Sequence, residues 1–81
     1  MTVREMAEKI SEIEKDKKVS IYFKYDHYCQ QYFFKMYKKD TMLEKSVPVS
    51  EIITWSIDIL EEHLCNMADK LNSFYSREAK R

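Results

Sequence analysis

The chain has 81 residues, 44% of them hydrophobic and 35% charged, with 14 basic groups balanced by 14 acidic ones. That describes one small globular domain with a single modest core, and its neutrality argues against a partner held chiefly through phosphates. Glycine is absent altogether, which excludes the backbone conformations that Walker loops and dinucleotide-binding turns require.

The first segment, MTVREMAEKI, is charged and periodic, unlike a signal peptide. Thr2 and Glu5 fit a capping box, and Val3, Met6, Ile10 and Ile13 form one apolar stripe, so a helix is expected over about 3–15. It should stop in the charged run EKDKK. From Val19 the period becomes two. Val19, Ile21, Phe23 and Tyr25 alternate with Ser20, Tyr22, Lys24 and Asp26, which predicts a half-buried strand.

A turn near Asp26-His27-Tyr28 leads to a second strand over 31–38. There Tyr32, Phe34 and Met36 share one face, and Phe33, Lys35 and Tyr37 share the other. Lys39-Asp40-Thr41 is the next turn, where the Asp side chain can bond its own backbone in place of glycine. A third strand over about 42–49 ends, or lies at an edge, at Pro48. Ser50 is then positioned to cap a last helix over about 51–75. Its apolar residues Ile53, Ile57, Leu60, Leu64, Met67, Leu71 and Phe74 repeat at alternating spacings of four and three. Ile52, Trp55 and Ile59 widen the buried arc of its first half.

The expected fold is therefore one α+β domain spanning 1–81, in the order α-β-β-β-α. A three-stranded antiparallel meander would be backed by the two helices. The last helix, about 37 Å long, exceeds a seven-residue strand of about 23 Å, so it should overhang the sheet. Either the first helix or a second copy of the chain must then cover its seam. A homodimer through Leu64, Met67, Leu71 and Phe74 is the second of these expectations.

Few constellations suggest chemistry. His27 and Cys29, with His63 and Cys65, formally make up a zinc set, but residues two apart on a helix point about 200° apart. Cys29 has neither an oxyanion hole nor an orienting partner in the sequence. The acidic residues near Glu61 read as a solvated helix face. No enzyme, metal or cofactor is expected. Two cysteines are also too few for a disulfide framework, and no apolar run approaches the roughly 20 residues of a membrane span. The expected setting is reduced and cytoplasmic.

The informative stretch is YFKYDHYCQQYFFKMYKK, residues 22–39. If Ile21, Phe23, Phe34 and Met36 turn toward the helices, then Tyr22, Lys24, Phe33, Lys35, Tyr37 and Lys39 share the opposite, open face. Interleaved rings and lysines suit either a protein hot spot or base stacking. The charge balance favours protein. Residues 17–45 carry a net +4, but 1–16 and 46–81 each carry −2. The last helix is acidic at Asp58, Glu61 and Glu62, a surface a phosphate backbone would repel.

The order helix-strand-strand-strand-helix resembles that of double-stranded RNA-binding domains. Those domains carry lysines at the start of the second helix and a glycine-containing loop. Here the helix begins SEIITWSID, and there is no glycine. In size, charge and lack of glycine the chain is similar in style to phage-encoded inhibitors of host defence enzymes. The expectation is a non-catalytic protein-binding module, a small inhibitor or adaptor from a phage or other mobile element acting on a larger host protein. Partner contacts would come from the open-face residues and from Asp58, Glu61 and Glu62. The alternative is a nucleic-acid-binding regulator using Tyr22, Phe33, Tyr37 and the nearby lysines.

Overall fold

A computed structural model describes residues 1–79. Helix α1 spans Val3–Lys17, followed by strands β1 (Ser20–Asp26), β2 (Gln31–Lys38) and β3 (Thr41–Pro48). A short helix α2 (Val49–Ile52) and a long helix α3 (Ile57–Ala79) complete the chain. The strands form one antiparallel sheet in the order β1-β2-β3. The α+β class and the meander are as the sequence predicts.

The capping box forms as expected. The Glu5 N–H donates to Thr2 Oγ1 at 3.1 Å, and the Thr2 N–H donates to Glu5 Oε1 at 3.0 Å. These bonds hold the Glu5 carboxyl below its ordinary range. At the other end, Lys18 adopts a left-handed conformation (φ 58°, ψ 49°), and its N–H and that of Val19 both reach the Glu14 carbonyl. Gln30 and Lys39 also take positive φ. A chain without glycine must make its tight reversals with ordinary residues, at a steric cost of about 1–2 kcal/mol each.

Helices α1 and α3 run parallel. Lys9 pairs with Glu61 at 2.6 Å, and eight residues later in both helices Lys17 pairs with Asp69 at 3.0 Å. Each lysine is pushed above its ordinary pKa, chiefly by the hydrogen bond to its carboxylate. Both pairs lie at the surface, so they align the helices more than they stabilise them. The Asn72 side chain donates to the Lys17 carbonyl at 3.2 Å and accepts from the Lys38 ammonium, tying the end of α1 and the end of β2 to α3. The last turns of α3 then run past the Lys17–Asp69 pair, the overhang expected from the length mismatch.

The core lies between the helices and one face of the sheet. Met6, Ile10 and Ile13 of α1 meet Leu60, Leu64, Ala68 and Leu71 of α3 over Phe34, Met36 and Val47. Phe23 flanks Phe34 with ring centroids 6.2 Å apart.

The C-terminal segment departs from expectation. It is not one helix from Glu51, and Ser50 does not cap it, since α2 starts at Val49 with no side-chain cap bond. The helix breaks over residues 53–56. Thr54 turns its hydroxyl onto the Glu51 carbonyl at 2.6 Å, a local bond that competes with helix continuation. Ser56 instead starts α3, its Oγ accepting from the Ile59 N–H at 3.4 Å. The break lets Ile52 and Trp55 both reach the core, and it throws Ile53, expected in the apolar seam, into solvent at 75% exposure. Ile59 is exposed too, while Ala68, absent from the expected seam, is fully buried.

The seam of α3 is covered within the chain. Leu64 and Leu71 are fully buried in the chain's own core beneath α1, and only Met67 and Phe74 are half-buried. Helix α1 thus covers this seam, the first of the two alternatives the length mismatch raises. Leu71→Lys should therefore unfold the chain rather than give a folded monomer. Truncating such a residue already costs about 2–5 kcal/mol, and burying an ammonium costs more. Thermal melting followed by circular dichroism checks this, and a variant melting like the parent would contradict the packing.

Candidate functional site

Helices α1 and α3 cover the face of the sheet that carries Ile21, Phe23, Phe34, Met36, Leu43 and Val47. The other face has no covering element among the described residues. Pairing register sets its layout in rows, because residues directly opposite in an antiparallel sheet share a face. From one end the rows are Ser20–Tyr37–Met42, Tyr22–Lys35–Glu44, Lys24–Phe33–Ser46 and Asp26–Gln31–Pro48. Tyr22, Lys24, Phe33, Lys35 and Tyr37 are thus brought together on the open face, as the alternation predicts. Tyr22 is 53% exposed, Met42 44% and Tyr37 38%.

Lys39 is not part of that face. It occupies the β2–β3 turn with φ 53°. Neither are Asp58, Glu61 and Glu62, which lie on α3 in the other layer of the molecule. Glu61 is moreover paired with Lys9. The open sheet face and the acidic helix surface cannot form one continuous flat interface.

Charge on the open face is balanced. Lys35 stands opposite Glu44 across the β2–β3 ladder, and a shallow depression is lined by Lys24, Asp26, Phe33, Lys35 and Glu44. Two lysines meet two carboxylates, so the face lacks the one-sided field that attracts a phosphate backbone. The Asp26 carboxylate also organises the β1–β2 turn, accepting the Tyr28 and Cys29 N–H groups at 2.9 and 3.4 Å. Tyr28, 91% exposed, stacks on His27 at the tip.

Two features carry little signal in the sequence. Met42 belongs to the open face, where it adds an adaptable apolar side chain beside Tyr37. Lys38, grouped in the sequence with Lys35 and Lys39, turns to the covered side and meets Asn72. The first depends on the β3 register and the second on the path of α3, and neither is legible in local spacing.

The histidines and cysteines sit apart in function. The His63 ring stacks on Trp55 at 4.3 Å with an interplanar angle of 6°. Its Nδ1 accepts from the Lys45 ammonium at 3.0 Å, since lysine can only donate. Cys65 lies on the other flank, beside Ile13 and Asp16 of α1. Among the described residues no group of three or more His, Cys, Asp or Glu is placed to hold a metal ion, and no helix is long and apolar enough to cross a membrane.

Compared with protein-family models, curated proteins and solved structures, the chain shows no significant match.

The two thiols differ in environment. Cys29 is exposed in the β1–β2 turn, whereas Cys65 is half-buried and its pKa is pushed up, chiefly by burial. Since the thiolate is the reactive form, iodoacetamide at neutral pH should modify Cys29 first. Mass spectrometry of the partly labelled protein checks the order. Equal rates at both thiols would show that the α1–α3 groove is open.

Proposed function

We propose that the chain is a non-catalytic protein-binding module, a small inhibitor or adaptor that covers a site on a larger protein with the open face of its sheet. The observation that carries this reading is the combination of exposed rings with balanced charge on that face. Exposed Tyr22, Tyr37 and Met42, with half-buried Phe33 on the same face, offer broad apolar contact, and tyrosine loses little side-chain entropy on binding. Lys24 and Lys35 beside Asp26 and Glu44 supply polar contacts that fix orientation more than affinity. An origin in a phage or other mobile element belongs to this proposal on size, charge and lack of glycine alone.

The nucleic-acid alternative has less support. Stacking rings are present, but a bound strand also needs a continuous basic track along its backbone. On the open face the lysines alternate with carboxylates instead.

The test is affinity capture by the tagged full-length chain from lysate of its source, with and without nuclease. Parent and a Phe33→Ala/Tyr37→Ala variant are compared. The variant should melt within a few degrees of the parent, because neither side chain is in the core cluster. The expected result is one stoichiometric protein, retained after nuclease and lost with the variant. Recovery of nucleic acid that disappears with nuclease would transfer the face to the alternative reading. A variant that unfolds would show that this face is not open.

A further inference from the structure

The two edges of the sheet are not alike, and two hydrogen bonds fix which main-chain groups each one exposes. The Ile21 N–H leaves the sheet to donate to Glu14 Oε2 at 2.9 Å, so the outward-facing residues of β1 are Ile21, Phe23 and Tyr25. Inward and outward residues alternate along an antiparallel ladder, so Met36, opposite Ile21, turns its groups to Leu43. The Val49 N–H donates to the Gln30 carbonyl at 2.9 Å and continues the same alternation past the end of β3. Thr41, Leu43, Lys45 and Val47 therefore bond inward to β2. Met42, Glu44 and Ser46 turn their N–H and carbonyl groups outward, where β3 has no neighbouring strand.

The β1 edge is guarded. The Glu14 carboxylate occupies its first outward N–H, and α1 packs against the strand. At β3 no bond from the described residues reaches the outward groups. Met42, Glu44 and Ser46 are all exposed, and their side chains also belong to the open face. Pro48, which has no N–H, ends this edge. An unpaired edge of this kind is a template for a further strand.

Charge argues against a second copy in that place. In a symmetric antiparallel pair outward residues must meet outward residues, and those directly opposite share a face. The two registers of greatest overlap then set either Glu44 or Lys45 directly against its own copy. Like charges directly opposite are destabilising. Glu44 takes part in none of the ion pairs among the described residues, so a cation in the added strand would be its first.

We propose that the β3 edge takes an extended strand of the protein that the open face covers, with a basic residue opposite Glu44 and an apolar residue opposite Met42. The proposal rests on the protein-binding reading above and adds how the partner is held. Main-chain bonds to Met42, Glu44 and Ser46 would extend the sheet by a fourth strand, and alternate side chains would supply the specificity. On the open face these continue the rows ending in Tyr37–Met42 and Lys35–Glu44, while the intervening ones lie beside half-buried Leu43.

The test is a titration of the ¹⁵N-labelled full-length chain with two end-blocked peptides, TVTKTVT and TVTETVT. The expected result is saturable amide shifts clustered over 42–46, slowed amide exchange at Met42, Glu44 and Ser46, and about threefold tighter binding of the lysine peptide. Glu44→Lys should reverse that preference. Ser46→Pro removes an outward N–H without touching the β2–β3 ladder, so it should melt like the parent and bind neither peptide. Shifts centred on Phe23 and Tyr25, no saturable shifts, or a peptide preference unchanged by Glu44→Lys would overturn the proposal. In the capture experiment Ser46→Pro should lose the partner. A partner kept by Ser46→Pro but lost by Phe33→Ala/Tyr37→Ala would overturn the added strand alone and leave the docking face standing.

Discussion

Phe34 and Met36 lie in the middle strand of a three-stranded sheet with essentially no exposed surface, and every helix packs on their side. A two-residue period then dictates the orientation of their neighbours. Phe33, Lys35 and Tyr37 must point the other way, where no described element of the chain covers them. Two parallel helices already lie side by side over one face, and no described element is left for the second. The open face is a consequence of how the core is filled.

That geometry also gathers charge. Because α1 and α3 run parallel, their N-termini lie toward one end of the molecule, with Glu5 and Asp58 in the first turns. The last turn of α1 carries Lys15 and Lys17, with Lys18 at its C-cap. Acids at helix starts and lysines at helix ends offset the helix dipoles.

Much of this was legible in the sequence where a residue could take only one role. Thr2 with Glu5 marks the start of α1, and the two-residue period of β1 and β2 sorts their side chains into two sets, but Phe33 and Tyr37 rival Phe34 and Met36, so which set is buried is decided only by where the helices pack. The break before α3 was harder to read. Ile53 and Ile57 continue the apolar repeat of the later helix residues, so spacing alone extends the helix backward through the linker. Ser56, with Asp58 in the first turn, was the available signal. Leu64 and Leu71 show a different limit. Their spacing reveals a buried seam but not whether α1 or a second copy buries it. Long-range geometry decides that, through pairs such as Lys17–Asp69. Lys38 is legible only once Asn72 is known to lie nearby.

The central claim is that the isolated chain presents one bare sheet face. The most direct measurement is solvent paramagnetic relaxation of side-chain protons in the free protein, using a soluble gadolinium chelate. Strong relaxation at Tyr22, Phe33, Tyr37 and Met42, with Phe34, Met36 and Val47 protected, is the predicted result. Equal protection of both sets would contradict it and show that the face is covered before any partner arrives.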